Sequence, residues 1–302
     1  MKRMYRLLPL VLALVGLIVS ACSSPAATAT PKPTATSAPK GLALAAPGTP
    51  LRKVQDAGKI VVGVKYDVPT FGYLNPTTNE LAGFDIDIAR AVAKHIFGDP
   101  SKVEFKQAVS KDRIPFLTDG VVDIIASTMT INEDRAKQID FADTYYVAGQ
   151  SPLVPKASTV TGLADLKGKT VASVKGSTSE KAITALAPEA KLVLFDTYSE
   201  GVAAMDAGRA DATSTDDIIL LGFAKQSPDK YKVVGAAFTT EPYGIGVAKN
   251  KPDLLQVVND TLREIKAGGE WAKIYEKNLG GKAPTPPIAD WRQIYAQATK
   301  TP

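Results

Sequence analysis

Apolar and polar positions along this chain alternate between two periods. Ile60-Val61-Val62-Gly63-Val64 is a short apolar run and predicts a strand buried in a parallel sheet. Ile86, Ile88, Ala89, Val92, Ala93 and Ile96 then recur at helical spacing, with Asp85 as the expected N-cap. A strand over 103–105 follows, then a helix over 112–117 that tolerates Pro115 in its first turn, then a strand over 122–126. The same alternation returns as strand 170–174, helix 180–186, strand 192–195, helix 200–207, strand 211–214 and helix 217–222. Helices over 254–266 and 271–278 end the pattern, and 290–302 reads as a peripheral tail docked through Trp291. Strands and helices in alternation predict an α/β fold with mainly parallel sheet.

One stretch has an echo. Asp119-Gly120-Val121-Val122-Asp123-Ile124 leads into Ser127-Thr128, and Ala207-Gly208-Arg209-Ala210-Asp211-Ala212 leads into Ser214-Thr215. Each is a helix end, a glycine turn, an Asp, a short strand and then hydroxyls. Polar residues at the carboxyl ends of strands are where open α/β sheets hold ligands. The echo therefore predicts two similar lobes, each giving a polar rim to a shared cleft.

The first fifty residues have a different character. Lys2, Arg3 and Arg6 precede 13 uncharged residues, 7–19, and Val19-Ser20-Ala21-Cys22 ends the run. This is the layout of an export signal over 1–21. At about 1.5 Å per residue the run is about 20 Å long, short of a ~30 Å hydrocarbon core. The tetrapeptide resembles a lipobox, which implies lipidation of Cys22, the chain's single cysteine. Without a second cysteine no intrachain disulfide forms, so packing has to supply stability. Pro, Ala, Thr, Ser and Gly make up 23–50 apart from Lys32, Lys40, Leu42 and Leu44, so 22–50 reads as a lipidated Cys and a flexible tether. Residues 51–302, 252 in number, suffice for two lobes with cores of their own.

Charge and motifs narrow the chemistry. The leader holds three of the 36 basic residues, which leaves 33 against 31 acidic ones and no basic stripe for nucleic acid. His95 is the single histidine and falls at mid-helix spacing. No metal-spaced His/Cys cluster and no Ser-His-Asp set after a nucleophile elbow is found, so no catalytic residue, metal or cofactor is expected. Asp85 and Asp87 look like paired carboxylates, but a cap and a first-turn acid account for both. Residues 162–170 mimic a phosphate loop, with the wrong glycine spacing and before a strand instead of after one.

Five ordered motifs then carry a resemblance. Gly83-Phe84-Asp85-Ile86-Asp87-Ile88-Ala89-Arg90-Ala91-Val92-Ala93 is the first, and Thr130-Ile131-Asn132-Glu133-Asp134-Arg135 the second. Ile139-Asp140-Phe141-Ala142-Asp143-Thr144-Tyr145-Tyr146 is the third. The fourth pairs Asp165-Leu166-Lys167-Gly168-Lys169-Thr170-Val171 with Gly176-Ser177-Thr178, and Tyr243-Gly244-Ile245-Gly246 is the fifth. Together they span about 58–279 and resemble the bacterial extracellular solute-binding proteins, family 3, the polar amino-acid capture subunits of ABC importers. The resemblance implies a type II periplasmic-binding-protein fold: two α/β lobes joined by two hinge strands, closing on ligand. Lobe 1 would be 51–146 plus 243–289, lobe 2 would be 147–242, and 290–302 a C-terminal tail. The crossings would fall at 145–149 and 239–243.

By position, the resemblance implies that Arg135 holds an α-carboxylate, aided by Thr130, Ser177 and Thr178, and that Asp216 pairs the α-ammonium. Ser127, Thr128 and Tyr243 belong to the same rim. Read alone, Arg135 is a surface ion pair with Glu133 or Asp140, and Asp216 a helix cap. The segment Val64-Lys65-Tyr66-Asp67-Val68-Pro69 looks more like glutamate- and aspartate-binding members, and Arg113 falls where those place a second cation. With Thr215, two cations imply a pocket for a second carboxylate, hence L-glutamate or L-aspartate, with glutamine or another polar amino acid as the alternative. Tyr66, Val68 and Phe71 are expected over the ligand's carbon chain. The expected setting is an extracytoplasmic monomer, lipid-anchored on the periplasmic or cell-surface side and serving a membrane permease. A dehydratase on the same fold, a receptor's sensing domain and a surface adhesin are the rival readings.

Overall fold

A computed structural model describes residues 40–299. The expected signal segment, Cys22 and the tether up to residue 39 lie outside the described residues. From there the chain runs α1 (Pro50–Ala57), β1 (Ile60–Val64), β2 (Asp67–Val68), β3 (Gly72–Leu74), β4 (Leu81–Ala82), α2 (Phe84–Phe97), β5 (Val103–Gln107) and α3 (Arg113–Thr118). It continues through β6 (Ile124–Ile125), α4 (Glu133–Ala136), β7 (Ile139–Phe141), β8 (Tyr146–Ala148), β9 (Gln150–Pro155), β10 (Thr170–Val174) and α5 (Thr178–Leu186). Next come β11 (Lys191–Phe195), α6 (Tyr198–Asp206), β12 (Ala212–Asp216), α7 (Asp217–Gln226) and β13 (Tyr231–Val233). The chain ends with β14 (Glu241–Tyr243), β15 (Gly246–Ala248), α8 (Pro252–Ala267), α9 (Glu270–Leu279) and α10 (Trp291–Ala298).

Two five-stranded sheets share one plan. The first has the order β5-β1-β6-β15-β7 and the second β11-β10-β12-β9-β13. In each, three neighbours are parallel and the other pairings antiparallel. Between the sheets run β8 and β14, paired antiparallel in a two-stranded ribbon with Tyr146 opposite Tyr243. A two-lobed α/β molecule with two connecting strands results, as the alternation and the motifs imply.

The echo has an atomic basis. Asp123 accepts from the Val61 amide at 2.8 Å and its own amide donates to the Val61 carbonyl at 2.8 Å. Asp211 does the same to Thr170, at 2.7 Å and 2.7 Å. Gly120 and Gly208 before them take φ of +70° and +68°, where a side chain would strain the turn. Each Asp thus ties the start of one strand to the start of its parallel neighbour, so both sheets begin from the same clamp.

Three expectations are corrected. The N-cap of α2 is Gly83, at φ +139°, and a Cβ there would lie 2.2 Å from the Phe71 carbonyl oxygen. Asp85 sits inside the first turn and is fully buried. The tail docks through Ile294 and Tyr295, with Trp291 stacked edge-on against Tyr295 on its outer side. The stretch assigned to a flexible tether is seated from residue 40. Leu42 donates to the Ile96 carbonyl at the end of α2, and Gln55 clamps the Ala43 carbonyl and the Ala45 amide. The cause is that α2 and α1 offer unfilled main-chain and amide partners there, which composition does not reveal.

Candidate functional site

The candidate residues cluster where the strands end. Lys65 follows β1, the 126–130 segment follows β6, Gly176 and Ser177 follow β10, and Asp216 ends β12. Parallel strands release their chains at this edge, and the helices that follow begin there with free amides.

On the first lobe, Arg135 is buried and pairs with neither Glu133 nor Asp140. Its Nη1 donates to the Thr130 carbonyl at 2.6 Å and its Nη2 to the Gly176 carbonyl of the other lobe at 3.1 Å. Burial, and then the nearby Arg113 charge, pull its pKa down to about 9. Asn132 caps α4 by accepting from the Arg135 amide at 3.0 Å, which fixes the helix that carries the guanidinium.

Lys65 is also buried, and its Nζ donates to Ser110 Oγ at 2.8 Å. The ammonium lies 5.5 Å from the centre of the Tyr198 ring across the seam. Burial, and then Arg113, bring its pKa down to about 7. Arg113 is engaged with the main chain of the rim. Its Nε donates to the Ser110 carbonyl and its Nη1 to the Ser127 and Thr128 carbonyls at 2.9 and 3.1 Å. It braces the rim from beneath.

That rim is strained. Thr128, a β-branched residue, holds φ at +43°. Its amide donates to Asp85 Oδ2 at 2.8 Å, and Tyr145 Oη donates to Asp85 Oδ1 at 2.7 Å. Burial pushes the Asp85 carboxyl up to about 7, although both bonds oppose the shift. Ser127 turns its hydroxyl into the sheet, donating to the Ala108 carbonyl at 3.0 Å. Tyr66 is set apart, its hydroxyl donating to the Phe105 carbonyl of β5 at 3.2 Å. Val68 and Phe71 belong to the core, with Phe71 edge-on to Tyr146 and Tyr243.

On the second lobe, Ser177 caps α5 by accepting from the Glu180 amide at 3.1 Å. Thr178 and Ser179 follow in the first turn, where no helical carbonyl receives their amides. Thr178 Oγ1 donates to Glu241 Oε2 at 2.8 Å and accepts from Gln150 Nε2 at 3.1 Å. Gln150 Nε2 also donates to Glu241 Oε1, and Ser179 Oγ donates to Thr215 Oγ1 at 3.1 Å. Asp216 stands at the N-cap of α7 without capping it. Tyr243 Oη donates to its Oδ2 instead, at 2.5 Å. Burial, and then the Glu241 charge, raise the Asp216 carboxyl well above its usual range. Gln150 is its register partner across β9 and β12. Asp216 Oδ1 and Gln150 Oε1 are buried acceptors with no donor.

The two lobes meet face to face. Besides the Arg135 contact, Asp67 accepts from the Tyr198 amide at 2.7 Å, and Lys111–Asp196 and Lys181–Asp134 close the margin at 2.9 and 3.0 Å. The seam thus buries three cations (Lys65, Arg113, Arg135) and four acids (Asp67, Asp85, Asp216, Glu241). Guanidinium and free helix amides can hold a carboxylate, and unsatisfied buried oxygens beside Asp216 can hold an ammonium. Asp67, Asp85, Ser110, Gln150, Tyr198 and Glu241 are the members that sequence reading missed. Asp85 lies within the first motif, where its position before an apolar-periodic run predicts a cap and hides its place in the site. Among the described residues, no helix is long and apolar enough to cross a membrane, and no cluster of three His, Cys, Asp or Glu is placed to hold a metal.

Known proteins share this plan. The chain is 46% identical over 228 residues to the ABC transporter glutamine-binding protein GlnH of Bacillus subtilis, covering 75% of this chain and 83% of that one. It is 34% identical over 236 residues to the glutamate-binding protein GluB of Corynebacterium efficiens, covering 74% and 79%. A solved structure described as an ancestral arginine-binding protein bound to glutamine superposes with a TM-score of 0.69 at 41% identity, over 74% of this chain and 99% of that one. Residues 60–281 match one family throughout, and with the hinged two-lobe fold in place the chain belongs to the bacterial extracellular solute-binding proteins, family 3.

Proposed function

We propose that the chain captures L-glutamine outside the cytoplasm and delivers it to the permease of an ABC importer. It is a binding protein and not an enzyme, as its family is. Arg135, Thr130 and the first-turn amides of α5 take the α-carboxylate in this reading, and Asp216 with Gln150 the α-ammonium. Lys65, Ser110 and Thr215 face the side chain. The lobes are 51–146 plus 243–289 and 147–242, rocking about β8 and β14, and ligand favours closure by its differential affinity for the closed state. Cys22 carries the lipid that keeps the domain at the membrane.

The observation that carries the choice of glutamine is the greater identity to the relative named for glutamine, 46% against 34% for the one named for glutamate. Arg113 spends its Nε and Nη1 on three main-chain carbonyls and keeps its charge in the seam. An amide adds no charge, and Lys65, poised near neutrality, can donate to its oxygen. Calorimetric titration of the purified chain tests it. Glutamine is expected to bind about tenfold or more tighter than glutamate or aspartate. Tighter glutamate would restore the acidic reading.

A further inference from the structure

We propose that residues 282–299 form a strap that fixes the segment gripping the ligand's carboxylate, with Tyr295 as its positioning residue. The inference rests on the amino-acid-binding reading of the site. The strap lies beyond the family match, which ends at residue 281. Its course is bonded at successive points. Lys266 Nζ donates to the Pro287 carbonyl and to the Thr144 carbonyl, and the Thr144 amide donates to the Ala289 carbonyl at 3.0 Å. Thr144 is two residues before β8, so the strap is anchored beside one hinge strand.

It then turns onto the site. Asp290 caps α10 by accepting from the Arg292 amide at 2.9 Å, and Ile294 is buried. A helix of eight residues has no stability of its own in water, so α10 exists because it docks. Tyr295 Oη donates to the Ile131 carbonyl at 2.9 Å. From the other side, the Ile131 amide donates to the Pro242 carbonyl of β14 at 2.7 Å. The peptide groups flanking Ile131 are thereby pinned on one side by a hinge strand and on the other by the strap. Thr130 precedes this residue, Asn132 follows it as the cap of α4, and Arg135 is on that helix. Arg292 also pairs with Glu133 on α4 at 3.3 Å, but both side chains are exposed and the pair adds little. Burial, with the Glu241 charge, raises the Tyr295 hydroxyl's pKa, consistent with a phenol held neutral as a donor beside the seam.

The physical effect is on the binding-competent population. Apparent affinity falls in proportion to the fraction of molecules whose gripping segment is correctly set. Removing the strap's bond lets the 130–135 segment sample other arrangements while every ligand-contacting side chain remains. Two variants test this: full-length Tyr295→Phe, which keeps the ring and loses the donor, and a chain ending at residue 281. For each, the glutamine dissociation constant and dissociation rate are measured, together with the melting temperature without ligand. Tyr295→Phe is expected to weaken binding about 3- to 10-fold, the worth of one hydrogen bond, and the shortened chain about tenfold or more, both chiefly through slower association with little change in the dissociation rate. A strap that only stabilises the fold would lower the melting temperature and leave the dissociation constant unchanged, and that result overturns the inference. Should the shortened chain fail to fold, Tyr295→Phe decides alone. The intact chain is titrated first against the twenty amino acids. If it binds none, the reading of the site fails and takes this inference with it; if it binds and both variants bind equally well, the strap alone fails.

Discussion

Arg135 illustrates how much one side chain's surroundings decide. Buried beside Arg113, the guanidinium donates to two carbonyls and still has its charge uncompensated by any acid in contact. In the proposed reading a ligand carboxylate supplies that compensation through a charge-assisted bond, worth about 1.5–3 kcal/mol. Arg135→Ala is therefore expected to weaken glutamine binding roughly 10- to 150-fold by calorimetry. Arg135→Lys should recover only part of this, because an ammonium lacks the planar fork. An unchanged dissociation constant in the Ala variant would place the carboxylate elsewhere. Motif register picks out Arg135 and Asp216 from the sequence, and the fold brings both to the seam as buried groups. Arg113 was legible as a cation but not as a brace, since its partners are main-chain carbonyls that the fold alone brings together. Glu241 and Gln150 gave no signal at all: a single acid before a proline and a single amide after a glycine become a network only once β9, α5 and β14 meet.

At the scale of elements, α6 shows what local pattern conveys and what it omits. Thr197 accepts from the Glu200 amide and Glu200 reaches back to the Thr197 amide, a reciprocal cap written in four consecutive residues. The expected start at 200 fell two residues late because apolar periodicity begins inside the cap. Strands β1 and β10 have the bounds that the sequence predicts, since short β-prone runs between turn signals leave little choice. No local pattern announces that Asp67, from the opposite lobe, accepts from the Tyr198 amide and completes the same helix start. That contact exists only when the lobes are together, so its free energy belongs to closure. Asp67→Ala removes it without touching Arg135 or Asp216. Losing a helix cap costs about 0.5–2 kcal/mol, so glutamine should bind roughly 2- to 30-fold more weakly. The ligand-free variant should also show a larger radius of gyration by small-angle scattering, with the ligand-saturated radius unchanged. An unaltered affinity would show that α6 closes without this carboxylate.

For the whole molecule, the buried charges that make a site also shape stability against pH. Asp85 has a carboxyl raised from 3.8 to about 7 by burial. Between those values the folded chain binds more protons than the unfolded one, so stability falls as pH rises from about 4 to about 7. Lys65 is the mirror case, lowered from 10.5 to about 7. Between about 7 and 10 the unfolded chain binds more protons, so stability rises again with pH. Together the two groups contribute a minimum near pH 7, where each is caught between its charged and neutral form. Substitution separates the limbs. Asp85→Asn keeps an acceptor for the Thr128 amide but cannot ionise, so its stability relative to the intact chain should improve steadily between pH 5 and pH 8. Lys65→Met should gain most below pH 7, with the advantage shrinking toward pH 10. Urea unfolding without ligand at several pH values measures both differences. A difference that stays flat from pH 5 to pH 8 for Asp85→Asn would mean that the carboxyl is solvated after all, and that the strained Thr128 rim is held by something other than a buried acid. A site lined by such buried groups gives up stability at neutral pH to hold its donors and acceptors aimed, and the minimum near pH 7 is the measurable trace of that arrangement.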